Sequence, residues 1–132
     1  MLGDMIGEAR GKRTGRRILS TNGLKVEVSF EDDGTILGVP CHGITTYWAE
    51  TRPDGSVYGE GQGVVITQDG ETLTHKGQGV GKLGPGGAVS YRGAVYYSTT
   101  SAKLARLNTV ASLFEFEVDA AGNTHAKYWE WK

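Results

Sequence analysis

Cysteine is nearly absent from this chain, which carries Cys41 alone. One thiol cannot build an internal disulfide framework, and its solitary use suits a reducing compartment, so a cytoplasmic location is expected. Charge of either sign is not in excess: the net charge is −1. No global field therefore draws the molecule to nucleic acid or to an anionic membrane. No segment approaches the roughly 18 consecutive apolar residues of a membrane span. Met1-Leu2-Gly3-Asp4 has no basic start followed by an apolar run, so no secretory leader is expected. The histidines, His42, His75 and His125, form no HxH or HExxH pair, which gives no support for a metal site. No GxxxxGK[ST] phosphate loop occurs. Proline is also scarce, at 3 residues, whereas glycine reaches 21. Valines and aromatics are interleaved with those glycines throughout, which argues against low-complexity disorder.

What is present reads as strand and turn. At 132 residues the chain is the size of one domain, large enough to bury a core without disulfides or metal. The apolar period is two, and turn signals recur at the spacing of an all-β barrel or sandwich. Strands are expected near Asp4–Arg10, Arg16–Ser20, Leu24–Glu31, His42–Arg52, Ser56–Gln68, Thr72–Lys82, Val89–Thr99, Val110–Asp119 and Thr124–Trp131. Turns are expected at Asp33-Gly34, Pro53-Asp54-Gly55, Asp69-Gly70, Gly84-Pro85-Gly86 and Ala120-Ala121-Gly122-Asn123. One short helix, Ser101–Asn108, places Leu104 and Leu107 on one side and would plug a barrel end.

Two glycine ladders stand out: Gly59, Gly61 and Gly63 on one strand, and Gly77, Gly79 and Gly81 on the next. Residues two apart share a strand face, so each ladder is a bare stripe. A three-residue Pro53-Asp54-Gly55 loop puts Trp48 across from Glu60, Thr46 from Gln62 and Ile44 from Val64. A two-residue Asp69-Gly70 turn puts Val64 across from His75 and Glu60 from Gly79. The face so defined carries Ile44, Trp48, Tyr58, Val64, Ile66 and Leu73, with Glu60, Gln62 and His75 among them. It is expected to line the interior. The ladder Gly59, Gly61, Gly63 would then face outward, and Gly77, Gly79, Gly81 would leave room inside. Val89, Tyr91, Val95 and Tyr97 share one face, as do Phe114, Phe116 and Val118. An even-length last loop would set the latter beside Trp129 and Trp131.

The expected site follows from that register. Glu60, His75 and Tyr91 are the candidate catalytic groups, because a carboxylate desolvated among aromatics near an imidazole and a phenol can move a proton. Trp48, Tyr58, Gln62, Tyr97, Phe114, Phe116 and Trp129 would line the ligand space. The competing interpretation leaves Glu60 and Gln62 solvated near a rim or bonded to each other. Cys41 and His42 adjoin, but neighbours on an extended strand point to opposite faces and form no dyad. Gly79-Val80-Gly81-Lys82-Leu83-Gly84 matches GxGxxG by letter yet is followed by another strand, so it is no dinucleotide fingerprint. The basic run Arg10, Lys12, Arg13, Arg16, Arg17 around Gly15 suggests a hairpin, but it lacks interleaved aromatics for base stacking.

The segments Tyr58-Gly59-Glu60-Gly61-Gln62-Gly63-Val64-Val65 and Lys103-Leu104-Ala105-Arg106-Leu107-Asn108, with the ending Trp129-Glu130-Trp131-Lys132, resemble an uncharacterised bacterial family grouped with allene oxide cyclase. The resemblance runs from Val26 onward. It implies a single antiparallel β-barrel of about eight strands, often oligomeric, with an apolar lumen, and it carries over no catalytic residue. The expectation is a homo-oligomeric barrel that binds an apolar small molecule, with no cofactor or metal, and acts as an isomerase or cyclase. The alternative is a filled barrel that works through its outer surface as an interaction module. Nucleic acid and membrane are not expected partners.

Overall fold

A computed structural model describes residues 2–132. Among these residues, eight strands run as an antiparallel meander that closes on itself: β1 (Leu2–Ser20), β2 (Lys25–Ile36), β3 (Val39–Thr51), β4 (Ser56–Thr67), β5 (Thr72–Leu83), β6 (Val89–Ser98), β7 (Ala111–Val118) and β8 (Asn123–Trp131). The all-β barrel expected from the period-two pattern is the observed fold. β1 pairs with β8 over residues 2–12 and with β2 over residues 7–20. Its two edges are therefore used at different heights, the stagger that a closed barrel requires.

The N-terminal third departs from the sequence expectation. The two strands expected at Asp4–Arg10 and Arg16–Ser20 are one strand, and the basic run is not a hairpin. Register shifts between Arg13 and Gly15 absorb an extra residue as a bulge, which lets the strand curve instead of turning back. Arg17 pairs with Glu27 at 3.3 Å. Asp33-Gly34 is no turn either: Gly34 pairs with Ala9 on one side and Cys41 on the other. The chain reverses later, at Leu37-Gly38, where both residues have positive φ, as a two-residue type I′ turn requires.

Three other reversals share one design. Arg52 and Ser56, Thr67 and Glu71, and Asp119 and Asn123 each close a three-residue loop by a backbone hydrogen bond. Each loop ends in a glycine, Gly55, Gly70 or Gly122, at φ of 86 to 88°. This is a type I turn followed by a left-handed glycine bulge. The first loop is as the sequence suggested. The second holds Gln68 as well as Asp69-Gly70, and the third is odd in length, not even. An added residue in a hairpin loop moves every downstream side chain to the other face. Hence Gly61 pairs with Gly77 and Gly59 with Gly79, and both ladders lie on one side. Phe114 pairs with Tyr128, not with a tryptophan.

The stretch expected as a helix forms only a 3₁₀ turn, Ala105–Thr109. It still plugs one barrel end. Leu104 and Leu107 are fully enclosed with Ile6, Ile36, Leu73, Val95 and Tyr97. Arg106 bridges to Glu130 at 2.6 Å, which ties the plug to β8. A second cluster, built on Phe30, Val57, Tyr91, Phe116 and Val118, fills the other half.

Candidate functional site

The interior is set by parity. On β4 the lumen face is Val57, Gly59, Gly61, Gly63 and Val65, and on β5 it is Leu73, His75, Gly77, Gly79 and Gly81, because these pair directly with one another. His75, Tyr91, Tyr97, Phe114 and Phe116 are therefore inside, in agreement with the sequence expectation for those five.

Glu60, Gln62, Trp48, Tyr58 and Trp129 are not in the lumen, and neither is Trp131. The one-residue difference in the Gln68-Asp69-Gly70 loop exchanges the faces of β3 and β4 relative to β5. The odd last loop does the same to β8. Outside, the Tyr58 hydroxyl lies 2.7 Å from Glu60 Oε2 and 2.6 Å from Gln78 Oε1. Trp48 packs edge-on to Tyr58, with the Lys25 ammonium 4.3 Å from its ring. Trp129 pairs with Met5 and with Leu113 on the outer wall. Glu60 is thus solvated, as the competing interpretation held, but its partner is Tyr58 and not Gln62.

The glycines serve the rings first. A methyl group at Gly61 would stand 2.7 Å from Tyr47 Cβ, at Gly79 3.0 Å from Phe114 Cζ, and at Gly81 2.9 Å from Tyr91 Cδ1. The bare backbone is the bed on which those rings lie. Phe30 and Phe116 stack at 4.9 Å, and Tyr47 meets Phe30, Tyr91 and Phe116 edge-on. Between this ring cluster and the paired glycines of β4 and β5 remains a chamber of about 80 Å³.

Toward the plug lies a smaller chamber of about 40 Å³, bordered by Asp32, Cys41, Val65, Tyr97 and others. Thr45, His75 and Tyr128 border both chambers. His75 Nε2 is 3.5 Å from Thr45 Oγ1, and burial pushes the imidazole down to about 4. It is neutral at physiological pH. Burial likewise lifts Tyr91 and Tyr97 to about 12 and the Cys41 thiol to about 11, so none of them ionises near neutrality. A thiol so raised is not a nucleophile. His42 points out of the barrel, where Asp33 and Glu31 each hold a ring nitrogen at 2.8 Å. The Cys41–His42 pair is split between faces, as its adjacency on a strand dictates.

Asp32 is the exception among the interior acids. It is 7% exposed and pairs on either side with a glycine, Gly11 and Gly43. A methyl group at either would collide with it. No donor among the described residues bonds its carboxylate, and desolvation raises it to about 6 despite His42 nearby. The sequence interpretation missed it because Asp32-Asp33 resembles a solvated acidic turn. The available signal was phase: Val26, Val28, Phe30 and Asp32 alternate on one face.

No family model matches the sequence, and no curated protein matches it. Solved structures do match in fold. A protein with unknown function from Clostridium acetobutylicum superposes with a TM-score of 0.85 at 10% identity, covering 98% of both chains. A β-barrel-like protein from Acinetobacter baumannii gives 0.82 at 10%, covering 100% of this chain and 96% of the other. A conserved protein of unknown function from Rhodopseudomonas palustris gives 0.80 at 11%, covering 98% and 97%. The structural neighbours are thus uncharacterised bacterial β-barrels. Among the described residues no helix is long and apolar enough to cross a membrane, and no cluster of metal-ligating side chains is found.

Proposed function

We propose that this barrel binds a small, mostly apolar molecule in its lumen. One observation carries the proposal. An aromatic and glycine-walled chamber of about 80 Å³ shares Thr45, His75 and Tyr128 with a smaller chamber that borders a buried carboxylate, Asp32, to which no donor among the described residues bonds. Apolar walls with a few convergent polar groups are the usual composition of a ligand site. The size bounds the ligand. An apolar cavity of ~150 Å³ takes up benzene, and the two chambers together are smaller. The occupant has the bulk of a short alkyl chain unless the rings move.

The cyclase-like resemblance adds the narrower reading of a cofactor-independent isomerase in the cytoplasm. Glu60 cannot move a proton in it from the outer wall. Asp32 and His75, both on the smaller chamber, are the groups that could. A fragment screen by NMR tests the binding reading: fragments with one polar group should shift the Val95 and Val65 methyls, which border the two chambers, and a library that leaves them unmoved would contradict it.

The interaction-module alternative loses its glycine stripe, which faces the lumen. It retains an apolar outer patch: Met5 beside Trp129, Leu2 beside Trp131, and Leu113, all exposed or half-exposed. Such patches mark association surfaces. A homo-oligomer formed there would show a larger mass in sedimentation, and Trp129→Glu would reduce it to that of one chain.

A further inference from the structure

Asp32 sits in a built position. β1 and β3 each present a glycine directly across from it: a side chain at Gly43 would occupy the carboxylate's place, and one at Gly11 would collide with the Asp32 Cα and Cβ that carry it. The groups facing it from other elements bring no charge to it. Cys41 on β3, Tyr97 on β6 and Tyr128 on β8 stay protonated, and His75 on β5 stays neutral. Asp33, its neighbour on β2, disfavours its ionisation. Among the described residues the basic group in reach, His42, is on the outer face and already held by Asp33 and Glu31. A carboxylate buried without a partner is costly, and a cation delivered by a ligand removes that cost. Adjoining it is a chamber walled by aromatic side chains and glycines, surroundings suited to an apolar skeleton.

We propose that the Asp32 end of the lumen anchors a small protonated amine whose carbon skeleton occupies the ring- and glycine-walled chamber. This rests on the reading that the lumen takes a small molecule. Arg13, on the same inward phase of β1 as Gly11, lies near Tyr47 at the opposite end. The lumen therefore has a positive and a negative end, and the ammonium belongs at the Asp32 end. Chamber size restricts the skeleton to a few carbons.

The probes are isobutylamine and its neutral counterpart isobutanol, followed through the methyls of Val95 and Val65, which border the larger and the smaller chamber. The amine stays protonated between pH 5 and 7.5, so the change over that range is in the protein. With Asp32 near 6, the amine should bind about tenfold more weakly at pH 5 than at pH 7.5, and isobutanol should not change. Asp32→Asn should weaken the amine at pH 7.5 and abolish its pH dependence while sparing isobutanol. Equal binding of the two probes, unaffected by pH or by Asp32→Asn, would overturn the amine anchor and leave the lumen reading standing. Failure of both probes to move either methyl would remove the lumen reading itself. If Asp32→Asn does not fold, the two wild-type pH profiles decide.

Discussion

At the scale of single residues, Asp32 and His75 make opposite demands on pH. Asp32 is raised from its ordinary 3.8 to about 6, so the folded state binds the extra proton and stability falls as pH rises through that window. His75 is lowered from 6.5 to about 4, so the unfolded state binds the extra proton and stability rises with pH through nearly the same window. Each shift corresponds to roughly 3 kcal/mol, and in the wild type the two oppose. Urea unfolding between pH 4 and 6 should show a shallow profile for the wild type. Asp32→Asn should expose the rising limb of His75, and His75→Gln the falling limb of Asp32. Parallel profiles for all three proteins would show that these groups are not desolvated as described. An NMR titration reads the imidazoles directly. His75 should titrate near 4, and His42, bonded to Asp33 and Glu31, above its ordinary value.

At the scale of elements, three loops decide which side chains meet. Gly70 has φ of 86° and open space around its Cβ position. Gly70→Ala should therefore cost only the left-handed backbone penalty, about 1–2 kcal/mol. Gly15, also in open space but without positive φ, is the control. Gly15→Ala should be neutral or stabilise by up to about 1 kcal/mol. Thermal unfolding of the two variants checks both. These loops also explain what could be read from sequence. Strand content and the shared faces of Tyr91 with Tyr97 and of Phe114 with Phe116 follow from alternation within a strand, which needs no knowledge of its neighbours. Relations between strands pass through loop length. Asp69-Gly70 fits either a two-residue turn or the end of a three-residue one, and the choice moves Glu60 and Gln62 from lumen to solvent. Pro53-Asp54-Gly55 shows the same x-Asp-Gly pattern in an unambiguous setting, and applying it to Gln68-Asp69-Gly70 gives the observed register. The plug was legible as Leu104 and Leu107 on one side of a turn, although the backbone is 3₁₀.

At the scale of the whole molecule, the barrel is closed by pairing all round and stoppered at one end. Leu107 is fully enclosed there. Leu107→Ala should cost about 2–5 kcal/mol, measured by denaturant unfolding, and a loss within error would show the plug to be loosely seated. Along the axis the interior passes from the ring cluster, through the glycine-walled chamber, to Asp32 and then the plug. The glycines make this possible twice: they let rings lie against the wall, and they leave a void where rings do not reach. That void is the central claim, and a xenon-pressurised crystal tests it most directly, because xenon enters dry apolar cavities irrespective of polar recognition. The account predicts one xenon atom inside the barrel, between the Gly61–Gly77 pair and the rings of Tyr91 and Phe116. A lumen with no xenon, its space taken by Phe114 or Tyr91, would contradict it.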